Sequence, residues 1–404
     1  MSNFESVDPK ITLAKRTLLA SVVAVGFAQT VLFAILAPLG REIGLVEMQI
    51  GAIISASSLT VFLASPMWGR KSDVWGRRKV ILIGLFGYSI GTAFFAGVFQ
   101  AALIGLLAPF AAFIALTIAR VSNATVMAAV MPASNAFMAD ITDVANRTKG
   151  IGALGAATNI GAMLGPAVGG MLATITLLTP LYFSVLLTFG SACVAIYTLP
   201  KIAVPKVKVK PARLKYTDPR IFPFVIVGIF MFMGFAIVQQ TIAFRFQDIL
   251  SLTGSETAQV VGLSMMLAAA ASLFVQMVVI PRVDARPFIL LKMAMPLLIV
   301  AFVIMAMGTT QFSLTAAMIL QGFGMGLAGP GFMAGASLAV SAEEQGAVAG
   351  VAGSCPPLGF TIGPLLGTYL YSMEPTSPYW FAFVIYVCLF IFTLVAKEGR
   401  KQRI

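Results

Sequence analysis

The sequence has no histidine, only three cysteines among 404 residues, and few charges of either sign. Each shortage excludes something. Without histidine there is no imidazole base, no Ser–His pair and no histidine metal ligand. Cys193, Cys355 and Cys388 lie in apolar segments without CxxC or ligand spacing, and read as small packing residues. No phosphate loop follows a strand and no Ser/Asp pair sits at one depth, so an enzyme, a metal site and a cofactor are not expected. Charged residues make up 10% of the chain, against about 25% in a soluble domain. An ordinary wet surface is therefore excluded, and lipid must be the main solvent.

Apolar sequence fills the space. Hydrophobic residues are 59% of the chain and mean hydropathy is +0.96. Runs of roughly 20 apolar residues, the length of a membrane-crossing helix, recur over nearly its whole length. The expected spans are 17–39, 48–68, 79–100, 108–139, 150–174, 180–199, 221–246, 257–280, 288–308, 312–338, 346–371 and 378–396. The first follows Lys10, Lys15 and Arg16 but exceeds a signal-peptide core of about 7–15 residues, so it reads as an uncleaved span. The fold class expected is an all-α membrane protein of twelve transmembrane helices.

The net charge of +12 is dispersed into short breaks between apolar runs. That pattern is the positive-inside rule rather than a nucleic-acid-binding face. Alternate breaks hold Arg70, Lys71, Arg77, Arg78 and Lys79, then Arg147 and Lys149, then Arg282, Arg286 and Lys292. The opposite breaks hold Arg41, with Arg245 near the same side. Both termini are expected in the cytoplasm, with the bilayer as the partner and no nucleic acid.

The only extended polar stretch, KIAVPKVKVKPARLKYTDPR (201–220), divides six spans from six. The expected domains are residues 1–200, a linker at 201–220, and residues 221–404. The halves are related by an internal repeat: GAMLGPAVGG (161–170) aligns with GFTIGPLLGT (359–368) at an offset of 198, which also pairs Pro132 with Pro330 and Asn123 with Gln321. Two such halves predict a substrate site near the midplane where they meet.

The turn between spans two and three reads WGRKSDVWGRRKV, with Gly69-x-x-x-Asp73-x-x-Gly76-Arg77-Arg78-Lys79 inside it. The glycines suit a tight turn and close helix approach, and Asp73 suits a helix N-terminus. Lys71 and Lys79 read as plain positive-inside charge. The second half keeps only Pro281-Arg-Val-Asp284-Ala-Arg286-Pro287.

This loop resembles the signature loop of the major facilitator superfamily, and the whole chain resembles a twelve-span member of its drug:proton antiporter branch, with a looser likeness to tetracycline-type pumps and exporters of carboxylate siderophores. The resemblance implies two pseudo-symmetric six-helix bundles. It also implies a conformational latch of Gly69, Asp73, Gly76, Arg77, Arg78 and Asp140. In that latch Arg77 would pair with Asp140 at the end of span four, and Asp73 would face the start of span eleven.

Gly161-x-x-x-Gly165-Pro166-x-x-Gly169-Gly170 in span five places glycines on one helix face for close packing, with Pro166 favouring a kink. Gly363 and Pro364 repeat it in the second half. The family's exporters carry such a motif, which its importers usually lack.

Arg120 lies about 30 Å of helix from Asp140, in the outer part of span four but inside apolar sequence. A buried arginine costs on the order of 2.5–3.5 kcal/mol, so a cavity-facing role is the default expectation. It matches the arginine of the family's span-four motif, although Asn123 and Ala124 stand where Gln-Gly is usual. Gln29, Asn159, Gln239, Gln240 and Gln321 add substrate-pathway candidates, with Gln276 as a further polar position in span eight. Arg245 joins the pathway set; it lies three residues from Asp248 and could pair with it.

Every acidic residue falls at or beyond a span end. A pathway bearing arginines without acids favours anionic, zwitterionic or neutral cargo over cations. Asp140, Asp73 and Asp248 are left as proton-coupling candidates. The function expected is export of a small organic molecule by alternating access, with protons as coupling ion and the chain acting as a monomer in a bacterial inner membrane. The alternatives are a dedicated exporter of a carboxylate metabolite such as a siderophore, a proton-coupled importer, and a non-transporting receptor, which would call for a soluble domain.

Overall fold

The computed structural model describes residues 9–143, 146–201, 214–283, 286–341 and 344–395. Residues 202–213 of the expected linker, and Asp284, fall outside that set. Among the described residues every regular element is a helix. They are α1 Pro9–Glu42, α2 Glu47–Trp75, α3 Arg77–Leu103, α4 Pro109–Met127, α5 Val130–Asp140, α6 Arg147–Leu172, α7 Thr179–Thr198, α8 Phe222–Leu250, α9 Gly254–Phe274, α10 Pro287–Met307, α11 Gln311–Leu338, α12 Gln345–Met373 and α13 Ser377–Val395.

Eleven of the described helical segments are long and apolar enough to cross a bilayer, with α4 and α5 together forming one of them. The expected segment 346–371 lies within α12, which at 29 residues is as long as its neighbours. Its many glycines and three prolines keep it below the apolarity of the other segments.

Proline explains the breaks inside two spans. Pro132 has no N–H to give to the Ala128 carbonyl, and the fourth span divides into α4 and α5 at Ala128–Ala129. Pro281 likewise cannot bond to Met277, and α9 runs out through a π turn at Val275–Val279 and a 3-10 turn at Ile280–Arg282. Two helix starts are set by reciprocal capping: Thr253 with Glu256 opens α9, and Thr310 with Ser313 opens α11.

The chain packs as two compact units. The first takes the chain up to Ile35 and again from Thr60 to the linker. Its core is built around Leu18, Val22, Leu85, Tyr88, Val130 and Phe137. The second takes Leu36–Leu59 and the chain after the linker. Among its fully buried side chains are Phe244, Phe302, Phe332 and Tyr386, whose hydroxyl donates to the Met231 carbonyl at 2.7 Å. The sequence pattern puts the division at 201–220, whereas packing places the end of α1 and the first part of α2 with the second unit. Close backbone approach is one reason. A Cβ on Gly51 would lie 2.7 Å from the Pro364 carbonyl, and the Leu365 N–H donates to Ser55 Oγ at 3.1 Å.

The glycine repeats organise each unit internally. In the first, Gly161, Gly165 and Gly169 of α6 lie against α1, where a Cβ would meet Val23 O at 2.2 Å, Phe27 O at 2.6 Å and a Val31 methyl at 2.3 Å. In the second, Gly359, Gly363 and Gly367 of α12 lie in the same way against Met233, Ala236 and Ile237 of α8. The offset-198 repeat is thus a repeated helix-pair interface. Of the cysteines, Cys355 is buried, Cys193 half-buried and Cys388 exposed, so Cys388 does not pack inside the protein as its apolar setting suggests.

Candidate functional site

The turn joining α2 and α3 is built on Gly76, whose φ of +91° is open to glycine and strained for other residues. Gly69 is different: a Cβ there would meet nothing closer than Pro132 Cβ at 3.8 Å, so the close approach expected of it does not occur. Arg77 opens α3 and is the hub. Its Nε lies 3.2 Å from Asp140 Oδ2 at the end of α5. Its Nη1 donates to Ser72 Oγ at 2.8 Å and to the Asp73 carboxylate. Asp140 is largely covered, with 18% side-chain exposure against 59% for Asp73. Asp73 does not cap α3, whose first N–H groups receive no side-chain acceptor.

Arg78 donates to the Ile196 carbonyl near the end of α7. Lys71 sits over the rings of Trp68 and Trp75 at 4.9 and 5.0 Å, and Lys79 over Trp75 at 5.6 Å. Both lysines therefore do more than mark a membrane side, because their charge is held on indole faces.

Arg120 is only 5% exposed. It lies beside Tyr88 of α3, within the α3–α4 packing. One helical turn on, Asn123 Nδ2 donates to Thr92 Oγ1 at 3.2 Å. A Cβ on Gly91 would lie 2.7 Å from the Asn123 carboxamide, so the absent side chain makes its berth. Arg120 Nε and Asn123 Oδ1 are buried without a hydrogen-bond partner among the described residues. No carboxylate pairs with Arg120 there.

Gln29 and Asn159 are exposed on α1 and α6. In the second unit Gln240 and Gln321 are buried, with Gln240 Oε1 and Gln321 Nε2 unpartnered among the described residues. Gln239 Nε2 approaches Met265 Sδ at 3.8 Å, and Gln276 donates to Ser272 Oγ at 3.1 Å.

Arg245 and Asp248 do not pair with each other. Arg245 is buried, and its Nη2 donates to the Ala306 carbonyl at 3.0 Å and the Gly308 carbonyl at 3.5 Å. It thus neutralises the C-terminal dipole of α10, an interaction worth about 0.3–2 kcal/mol. Asp248 turns instead to Arg41. Arg41 Nη2 reaches Asp248 Oδ2 at 3.1 Å and Glu47 Oε1 at 2.7 Å, while Nη1 donates to Gln247 at 3.1 Å. Tyr371 of α12 donates to Asp248 at 2.6 Å, and the guanidinium stacks 4.7 Å above Phe244. Arg41 therefore ties the end of α1 to the end of α8 and the start of α2, and Asp248 adds α12 through Tyr371. Sequence reasoning missed this hub, along with Glu47 and Tyr371. The available signal was Arg41 itself, a cation on the side the charge bias leaves empty.

A third ionic cluster lies outside the spans. Arg220, just before α8, contacts Asp218 at 2.8 Å and Glu344, just before α12, at 2.8 Å. Hydrogen bonds from Arg220 hold both carboxyls below their ordinary range.

Comparison with known proteins agrees with this architecture. The family model described as Major Facilitator Superfamily matches residues 18–355 and 291–403. Multidrug resistance protein 1 of Bacillus subtilis (strain 168) is 25% identical over 352 residues, covering 85% of this chain and 86% of that protein. Quinolone resistance protein NorA of Staphylococcus aureus (strain MSSA476) is 22% identical over 368 residues, covering 90% and 91%. Among solved structures, a point mutant of the nucleoside transporter NupG matches with a TM-score of 0.73 at 15% identity, over 95% of this chain and 100% of that one. The human organic anion transporter MFSD10 (TETRAN) matches with a TM-score of 0.66 at 20% identity, over 95% and 99%.

Proposed function

Because this chain belongs to the Major Facilitator Superfamily, we propose that it is a secondary transporter that exports small organic molecules by alternating access in exchange for protons, and that its cargo is anionic, zwitterionic or neutral. The observation that carries the cargo reading is the placement of charge. Arg120 and Arg245 are buried inside spans, while the described carboxylates stand at helix ends. An arginine in a low-dielectric setting attracts anionic groups, and a cation would find no carboxylate at its depth. Export is supported by the resistance named in the relatives from Bacillus and Staphylococcus and by the glycine motif on α6.

In this reading both termini are cytoplasmic, in a bacterial inner membrane, and the monomer is the working unit. The Arg77–Asp140–Asp73 cluster then lies at the cytoplasmic end as the latch, and the Arg41–Asp248 cluster at the opposite end. Asp140 and Asp248 are the carboxylates whose ion pairs a proton can break. The same charge pattern suits an endogenous carboxylate, such as a siderophore, as cargo.

Everted vesicles energised by respiration test this. Organic anions and zwitterions should dissipate the pH gradient in a transporter-dependent way, while lipophilic cations should not. Dissipation by cations alone would remove the cargo reading. Gradient-driven uptake into right-side-out vesicles would reverse the direction.

A further inference from the structure

The surface between α1 and α7 in the first unit carries a crevice of about 270 Å³ lined by Arg16, Thr17, Ala20, Ser21, Ser191 and Val194. We propose that it is a binding site for one anionic phospholipid, with the phosphate at Arg16, the glycerol esters at Ser21 and an acyl chain along Ala20 and Val194.

Three features fit that occupant. First, the crevice faces the bilayer. Around it α7 presents Leu186, Phe189 and Val194 outward, and Tyr197 is 89% exposed. An aromatic with a hydroxyl at a span end belongs at the headgroup level. Second, Arg16 is exposed at the mouth and forms no ion pair with the described residues, so its charge is free for a phosphate. Third, Ser21 is 1% exposed and its hydroxyl has no hydrogen-bond partner among the described residues.

That third feature departs from the chain's habit. Thr30, Thr92, Ser184 and Thr188 each return their hydroxyl to the carbonyl four residues earlier. Ser21 is among the residues lining the crevice, its hydroxyl makes no such bond, and a χ1 rotation would present it to an ester carbonyl.

The spacing also fits. Five residues separate Arg16 from Ser21, about 7 Å of helix rise. A headgroup layer is about 5–7 Å thick on each side of the hydrocarbon. A phosphate held at Arg16 therefore sets its ester carbonyls near Ser21 and its chains near Val194. The volume takes part of one chain and its glycerol, not a layer of lipid.

Native mass spectrometry of the full-length protein, released from nanodiscs of mixed phosphatidylglycerol and phosphatidylcholine, tests the site. Wild type should retain phosphatidylglycerol selectively. Arg16→Gln should lower that retention about five-fold, the weight of one basic residue at an anionic surface. Val194→Trp, filling the crevice, should abolish it. Lys71→Gln, which removes a charge elsewhere, should leave it unchanged. Equal retention by wild type and Arg16→Gln overturns the proposal, as does an equal loss in Lys71→Gln, which would mean diffuse attraction. Displacement of the lipid by millimolar inorganic phosphate overturns it too, in favour of a free-anion site. Arg16 is exposed, so its variant stays informative if Val194→Trp fails to fold, and thermal unfolding of each variant verifies that.

Discussion

Arg41 and Asp248, 207 residues apart, form a two-point ion pair, with Nη1 2.5 Å from Oδ1 and Nη2 3.1 Å from Oδ2. Both side chains are partly exposed, at 23% and 40%, so the pair is not a buried charge repaid by geometry alone. Its strength comes from the neighbours that orient it, Glu47 on one side and Tyr371 on the other.

A double-mutant cycle with Arg41→Gln and Asp248→Asn should give a coupling of about 1 kcal/mol in thermal unfolding, the upper range for a partly exposed pair. Additive effects would mean that the contact contributes nothing. In transport, each single variant should make the end of the bundle carrying Arg41 more accessible to a thiol reagent placed there by an added cysteine. Unchanged labelling would remove the pair from gating.

At the other cluster, Asp73→Asn should abolish transport while membrane abundance stays at the wild-type level. Wild-type export by that variant in vesicles would sink the latch. The exchange of Arg77 and Asp140 for each other should recover part of the activity that each single reversal loses, because the 3.2 Å contact is kept with its sign inverted.

Arg120→Ala should selectively lose anionic cargo and leave neutral cargo transported. An unchanged cargo preference would take Arg120 out of recognition and leave it as a packing residue beside Tyr88.

Gly161→Ala sets a Cβ against the Val23 carbonyl, and a backbone atom cannot rotate away. The cost should be about 1–3 kcal/mol, in the range of overpacked cores, read as a lower unfolding temperature in detergent. Gly155→Ala on the same helix meets nothing within 4 Å and should be neutral or slightly stabilising, since alanine is the better helix former. Equal effects at the two positions would contradict the α1–α6 interface.

The Arg220 cluster gives a pH dependence. Asp218 and Glu344 have folded-state pKa values depressed below their ordinary 3.8 and 4.5. Their contribution is therefore present above those ordinary values and is lost as pH falls through the lower folded ones. Wild type should lose unfolding temperature below about pH 4.5 more steeply than Arg220→Gln, whose carboxyls keep the backbone N–H bonds from residues 220 and 341 but lose the guanidinium, and so keep less of the depression. Parallel pH profiles would show that the cluster does not act on stability.

The helical spans were legible because the bilayer imposes a length and an apolarity on every segment it contains, and these are written residue by residue. The glycine faces were legible for a related reason. A spacing of four puts Gly161, Gly165 and Gly169 on one side of any helix, whatever packs there. The Asp73–Arg77–Asp140 group could be named only through the family resemblance, since nothing in the spacing of residues 77 and 140 states that they meet. The expected Arg245–Asp248 pair shows the limit. Spacing of three permits a contact, but Arg245 found the end of α10 and Asp248 found Arg41.

The sequence by itself therefore determined the solvent of this protein, its helices and the repeat that doubles it. All three follow from local composition and period. Only the tertiary structure decided the partners of the charged groups, including Arg41 as a hub and Arg120 as a neighbour of Tyr88. Those choices depend on which helix ends arrive together, and the free energy of an ion pair depends on that arrival rather than on any residue's neighbours in the chain.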